Sequence, residues 1–109
     1  MPQHRLQPSD VKQFDLSPWT ETSGSTRVSR FRYDHANREV QVQWRNNIGD
    51  GYVYEDVDYE QYRQFARAVS KGRKINTFLN GFPYRPMNGP EVNAPSNPNR
   101  KGLTSRVGS

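Results

Sequence analysis

Glu55, Asp56, Asp58 and Glu60 put four carboxylates into one short stretch of the chain, which raises the question of a cation site. Their spacing is not that of a calcium loop, which needs alternating oxygen ligands and a closing glutamate. The run is better explained as negative charge at the start of a helix, where unpaired N–H groups and the dipole favour it. His35 lies in a turn between Asp34 and Ala36, and His4 is the only other histidine, so no imidazole set for a metal forms. Cysteine is absent, which removes thiol catalysis, cysteine-ligated zinc and disulfides together. The sequence holds no phosphate-cradling glycine loop, dinucleotide fingerprint or nucleophile elbow. It predicts no enzyme, no cofactor and no metal.

The residues do offer recognition chemistry. Sixteen Lys and Arg against eleven Asp and Glu leave a formal charge of +5, which favours polyanionic partners. Arg30, Arg32 and Arg45, with Arg27, could track a nucleic-acid backbone; arginines on an open sheet face also keep a small basic domain soluble and discourage edge pairing. Lys71, Arg73 and Lys74 follow a predicted helix, whose dipole favours positive charge whatever the function. Phosphate contact is the competing reading. Tyr52 and Tyr54 flank Val53, so both rings fall on one side of a strand. There they form either a base-stacking platform or part of a core.

Composition divides the chain into three parts. Residues 1–26 carry Pro2, Pro8 and Pro18 among polar residues, with isolated apolar anchors at Leu6, Val11, Phe14, Leu16 and Trp19; this reads as an extended N-terminal arm. Residues 88–109 show three prolines and no helical or alternating pattern, and read as an extended basic C-terminal arm unable to bury enough apolar surface to offset the cost of ordering. The core, residues 27–87, lies between them. "TRVSRFRYD" has strand propensity and stops at Asp34 and Asn37, whose side chains suit a turn. "EVQVQWR" alternates, with Val40, Val42 and Trp44 on one face and Glu39, Gln41, Gln43 and Arg45 on the other, the pattern of a half-buried antiparallel strand. "NNIGDG" supplies the next turn and "YVYEDV" a third strand.

Asp58 with Gln61 three residues on makes a capping box, and Tyr59, Tyr62, Phe65, Ala66 and Val69 form one helical stripe that Gly72 would end. "KINTFLNGFPY" adds a short second helix closed by Gly81 and an extended exit. The predicted fold is α+β: a small antiparallel sheet of three or more strands, covered on one face by an amphipathic helix and a short second helix, with extended N- and C-terminal arms. Parity then bears on the tyrosines. Valines inward would bury Glu55 in mid-strand; tyrosines inward would leave only Val53 and Val57 outside, at little cost. Burial cost favours the second arrangement, and a bulge would reverse it.

Tyr33-Asp34, Tyr52 and Tyr54 around Val53, Ser70-Lys71-Gly72 and Asn76, in that order over about residues 26 to 85, resemble the KTSC domain. This small module occurs as a C-terminal appendage of some lysyl-tRNA synthetases and as free-standing bacterial and phage proteins. The family usually has a proline before the helix where this chain has Asp58, and the turn "NNIGDG" is longer than usual. The resemblance implies RNA binding as a family role.

Two functions are expected from these features. The first is a non-enzymatic structural interaction protein whose arms order on a larger assembly in multiple copies, such as a minor capsid or decoration component of a phage virion, gripping its protein partner through Leu6, Val11, Phe14, Leu16 and Trp19. The second is an RNA- or single-stranded-nucleic-acid-binding module using Arg30, Arg32, Arg45, Tyr52, Tyr54, Lys71, Arg73 and Lys74. No apolar run is long enough to cross a bilayer and no secretory signal is visible, so the expected location is cytoplasmic or within a virion.

Overall fold

The computed structural model describes residues 13–22, 27–45 and 51–99. Five antiparallel strands, β1 (Thr20–Glu21), β2 (Val28–Asp34), β3 (Glu39–Trp44), β4 (Gly51–Tyr54) and β5 (Tyr84–Pro86), form one sheet in sequence order. Between β4 and β5 lie α1 (Tyr59–Ala66), α2 (Lys71–Thr77) and a 3-10 turn (Leu79–Gly81); α3 (Gly89–Asn93) follows β5. The fold class is α+β. No helix among the described residues is long and apolar enough to cross a membrane.

The β2–β3 turn forms because the Asp34 carboxylate accepts the backbone N–H groups of Ala36 and Asn37, and Arg38 closes it at φ 56°. Register then sorts the side chains. Phe31, Val42 and Tyr52 lie opposite one another, as do Tyr33, Val40, Tyr54 and Tyr84, so these residues share a face. A bulge between Val28 and Arg30 turns Val28 to the same side, opposite Trp44. On this side Tyr62, Phe65 and Ala66 of α1 and Ile75 of α2 join Val28, Phe31, Tyr33, Val40, Val42 and Tyr54 in one buried cluster. Phe31 meets Phe65 edge to face at 5.0 Å, and Tyr33 stacks on Tyr62 at 4.9 Å.

Asp58 caps α1 by accepting Gln61 N–H, while the Gln61 side chain accepts Asp58 N–H. The helix ends earlier than its stripe suggests. Val69 is exposed, and Ser70 caps a new helix by accepting Arg73 N–H. Gly72 therefore sits inside α2 and terminates nothing. Lys71, Arg73 and Lys74 belong to the second helix, not to the tail of the first. Lys71 still serves the earlier helix end, since its ammonium donates to the Ala68 carbonyl.

The larger correction concerns the other sheet face. Gln41 and Gln43 are buried along with Val40 and Val42, so β3 is enclosed on both sides. The covering comes from the two stretches expected to stay extended. Leu16 is buried and bridges to Asp34, and Thr20–Glu21 pairs with β2. Asn88 caps α3 in a capping box with Glu91, beside Pro90 in the first turn. Asn97 N–H donates to Leu16 O at 2.7 Å, Asn97 Nδ2 to Asp15 Oδ1 at 2.9 Å, and Ser96 Oγ to Ser17 O at 3.0 Å. These bonds tie the two flanking stretches to each other.

Candidate nucleic-acid interface

The strand parity is now visible. Tyr52 and Tyr54 both point to the helix side, as the burial argument favours. Val53 and Val57, expected outside, are fully buried as well, Val53 because the second face is covered and Val57 within the core cluster. The two tyrosines also do different work. Tyr54 is 1% exposed and part of the core; Tyr52, nearer the sheet margin, is 37% exposed. Burial, opposed by the Arg27 charge, pushes the Tyr54 phenol up to about 12. A platform built from both tyrosines is therefore excluded, because one ring has no free face.

Tyr52 instead anchors a different cluster. Its ring meets Trp44 at 5.4 Å and 78° and Tyr84 at 5.2 Å and 80°, both edge to face. Tyr84, half exposed, also stacks on Tyr54 at 5.5 Å. The Arg27 guanidinium lies 5.2 Å from the centre of the Trp44 ring and donates to Asn76 Oδ1 at 3.1 Å. Arg27 also passes close to Gly72, where an added Cβ would lie in ordinary contact with its side chain at 3.6 Å. Strands β3, β4 and β5 and helix α2 thus position a ledge of three rings beside one cation. The cation–π geometry is favourable wherever water is partly excluded.

The predicted basic residues are dispersed. Arg30 and Arg32 do not line an open face: each guanidinium carbon stands 4.1 Å from the centre of the Trp19 ring. Arg32 is 1% exposed and donates from Nε to Gln41, from one terminal nitrogen to Ser96 Oγ and from the other to Glu91 O. Burial, then repulsion from Arg30, lowers it to about 10, with Asp34 acting the other way. Arg45 donates to Thr22 O and Val28 O and holds the sheet margin. Lys71 is buried, which lowers its ammonium below the ordinary value. Arg73 is exposed, and Lys74 lies 4.8 Å from the centre of the Phe78 ring.

The predicted arm anchors are similarly divided. Leu16 is enclosed by its own chain, Trp19 stacks on Arg30 and Arg32, and Phe14 is half-buried. Leu16 and Trp19 are therefore occupied within the subunit and do not serve as free partner anchors. Leu6 and Val11 lie outside the described residues. Tyr84 and Arg85 were the residues least visible as functional from sequence. The signal available for them was the extended stretch after Gly81, which pairs with β4 and brings Tyr84 beside the two earlier tyrosines. Arg85 emerges on the opposite face, where it holds Glu55 at 2.7 Å and Glu91 through both terminal nitrogens at 2.9 and 2.6 Å. Hydrogen bonding to Glu91 is the chief cause holding that guanidinium above its ordinary value.

Comparison with known proteins agrees on the family. No curated protein matches the chain. Among solved structures, the crystal structure of the KTSC domain protein YPO2434 from Yersinia pestis is similar at 30% identity, with a TM-score of 0.59, over 67% of this chain and 99% of that one. A family model described as the KTSC domain matches residues 24–82. Most of the ledge lies inside that match, whereas Tyr84, Trp19 and Glu91 lie beyond it. On this match, which spans more than half of its 109 residues, the chain belongs to the KTSC domain family.

Proposed function

We propose that the chain is a non-enzymatic binding module that takes single-stranded nucleic acid on the ledge of Trp44, Tyr52 and Tyr84. The observation that carries this reading is the edge-to-face trio, with Tyr52 and Tyr84 exposed and Trp44 partly buried, and a guanidinium against its tryptophan. Bases stack on such rings without regard to sequence, each contributing about 1–3 kcal/mol. Charge on the adjoining segment suits the same ligand. Residues 61–90 hold six Lys and Arg and no Asp or Glu, and Arg27, just before β2, lies against the ledge. The test is fluorescence anisotropy with a labelled single-stranded RNA across salt. Tyr52→Ala with Tyr84→Ala should weaken binding about tenfold or more, with Tyr59→Ala as an exposed-tyrosine control. Absence of binding by the unaltered chain at about 50 mM salt, or equal affinity in the double variant, overturns the reading.

A second reading is supported by the bonds from Asn97 to Leu16 and Asp15. They join Asp15 and Leu16, near the start of the described residues, to Asn97, near their end. In this reading residues 1–12 and 100–109, carrying Leu6 and Val11 in one segment and Arg100, Lys101 and Arg106 in the other, order jointly on a larger assembly such as a virion shell. Deleting residues 1–12 should abolish incorporation while the sheet stays folded by circular dichroism; incorporation at the original level would sink it.

A further inference from the structure

The face carrying Arg30 and Arg32 poses a separate problem. Two neighbouring guanidiniums are held there, one fully buried, yet their hydrogen bonds go to neutral oxygens: Gln43 for Arg30, and Gln41, Ser96 and Glu91 O for Arg32. Among the described residues no carboxylate lies within ion-pair distance of either. Burying a cation beside another cation with no carboxylate in direct contact is unfavourable; burial and the Arg30 charge leave Arg32 with its proton held less firmly than usual, and the more distant Asp34 offsets this only in part. The space above the two guanidiniums is filled by the Trp19 indole at 4.1 Å from each. Arginine planes and aromatic rings are the surfaces on which unstacked bases lie.

What closes this face is a small set of contacts. Residues 88–97 are held by the Arg85–Glu91 pair, by Arg32 to Ser96 and Glu91 O, and by the bonds of Ser96 and Asn97 to Ser17, Leu16 and Asp15. Helix α3 has five residues, too few to be stable without its contacts. Neither Trp19 nor residues 88–97 belong to the stretch that the family model matches. The cover is thus an addition to the matched unit.

We propose that the Arg30–Arg32 face is a second single-stranded nucleic-acid surface, held shut by Trp19 and residues 88–97, with the indole occupying the place of a base. Opening removes the indole and frees the Arg32 donors for a phosphate. Glu91 acts as the latch. After it leaves, Arg85 remains engaged by Glu55 and Glu39 and takes no part in ligand binding. The ligand class is that proposed for the ledge, but the surface is on the opposite side of the sheet.

The test uses the full chain with Trp19→Ala and Glu91→Gln combined. With a labelled single-stranded RNA of about ten nucleotides, the opened variant should bind at least about tenfold tighter than the unaltered chain, and adding Arg30→Gln should cancel the gain. A folded opened variant with no gain, or a gain that survives Arg30→Gln, overturns the proposal. Should the opened variant fail to fold, hydrogen exchange on the unaltered chain decides: the oligonucleotide should speed exchange at residues 88–97, and unchanged or slower exchange there overturns it. The two surfaces remain separable. If the unaltered chain does not bind but the opened variant does, the ledge reading fails and this one stands; the reverse pattern leaves the ledge alone.

Discussion

Arg85 and Gly51 are the two residues on which β4 and β5 most depend, for opposite reasons. Arg85 is a partly exposed cation among three carboxylates, and one of them, Glu91, is 2% exposed. Removing the guanidinium takes two charge-assisted hydrogen bonds from that buried carboxylate, which keeps the Asn88 N–H. Arg85→Ala should therefore cost about 3 kcal/mol, read as a lower urea midpoint with an unchanged slope, whereas a simple surface pair would move it by less than about 1 kcal/mol. Gly51 matters for its lack of a side chain. A Cβ there would stand 2.2 Å from Val42 O and 2.8 Å from Met87 Cε. Because the first clash is with backbone of the neighbouring strand, β4 must move off β3. Gly51→Ala should destabilise by about 1–3 kcal/mol and speed amide exchange in Tyr52 to Tyr54, and an unchanged exchange pattern would contradict the close approach.

At the scale of elements, short helices depend on their caps. α1 has eight residues and a reciprocal Asp58–Gln61 cap, so Asp58→Ala should lower stability by about 1 kcal/mol, with Asp58→Asn recovering most of it. Both are measured by thermal unfolding. This cap was legible in the sequence because an Asp followed three residues later by a Gln precedes an aromatic stripe. Asn88 and Glu91 stand in the same relation, with Pro90 where a first helical turn tolerates it. That signal was present but lay in a proline-rich stretch, whose composition argued for an uncovered arm. The alternation of β3 was legible and its double burial was not. Gln41 and Gln43 are polar, and they are buried beside Arg32 and Arg30, which bond to them and lie against Trp19 from the N-terminal stretch. Likewise nothing local distinguishes Tyr52 from Tyr54; their difference comes from Tyr84 and Trp44, which arrive from other strands. The family stretch could be read from an ordered set of residues, while the site depends on long-range neighbours.

The whole molecule encloses three phenols, and this gives it a defined alkaline limit. Burial, followed by the charge of Asp58, pushes Tyr33 up to about 12 while its hydroxyl donates to Val57 O at 2.7 Å. Tyr54 is raised to about 12, and Tyr62 is raised by burial against the hydroxyls of Ser17 and Thr20. Each phenol has a folded value above its unfolded value of about 10. The stability it contributes is complete below pH 10 and is lost as pH rises through the folded value. Arg32 has the opposite sign: its folded value of about 10 lies below its ordinary 12.5, so folding gains as pH rises through that window. The lowered Lys71 ammonium acts in the same direction as Arg32. Three raised phenols outweigh one strongly lowered guanidinium, so net stability should fall between about pH 10 and 12. Six tyrosines are present in all. Replacing Tyr52, Tyr59 and Tyr84 by Phe leaves only the enclosed three to titrate. In that variant phenolate absorbance should rise in one cooperative step, coincident with loss of the far-ultraviolet dichroism. Phenolate formation with the dichroism intact would mean that water reaches these hydroxyls in the folded chain, and the sheet would then be less closed than its burial implies.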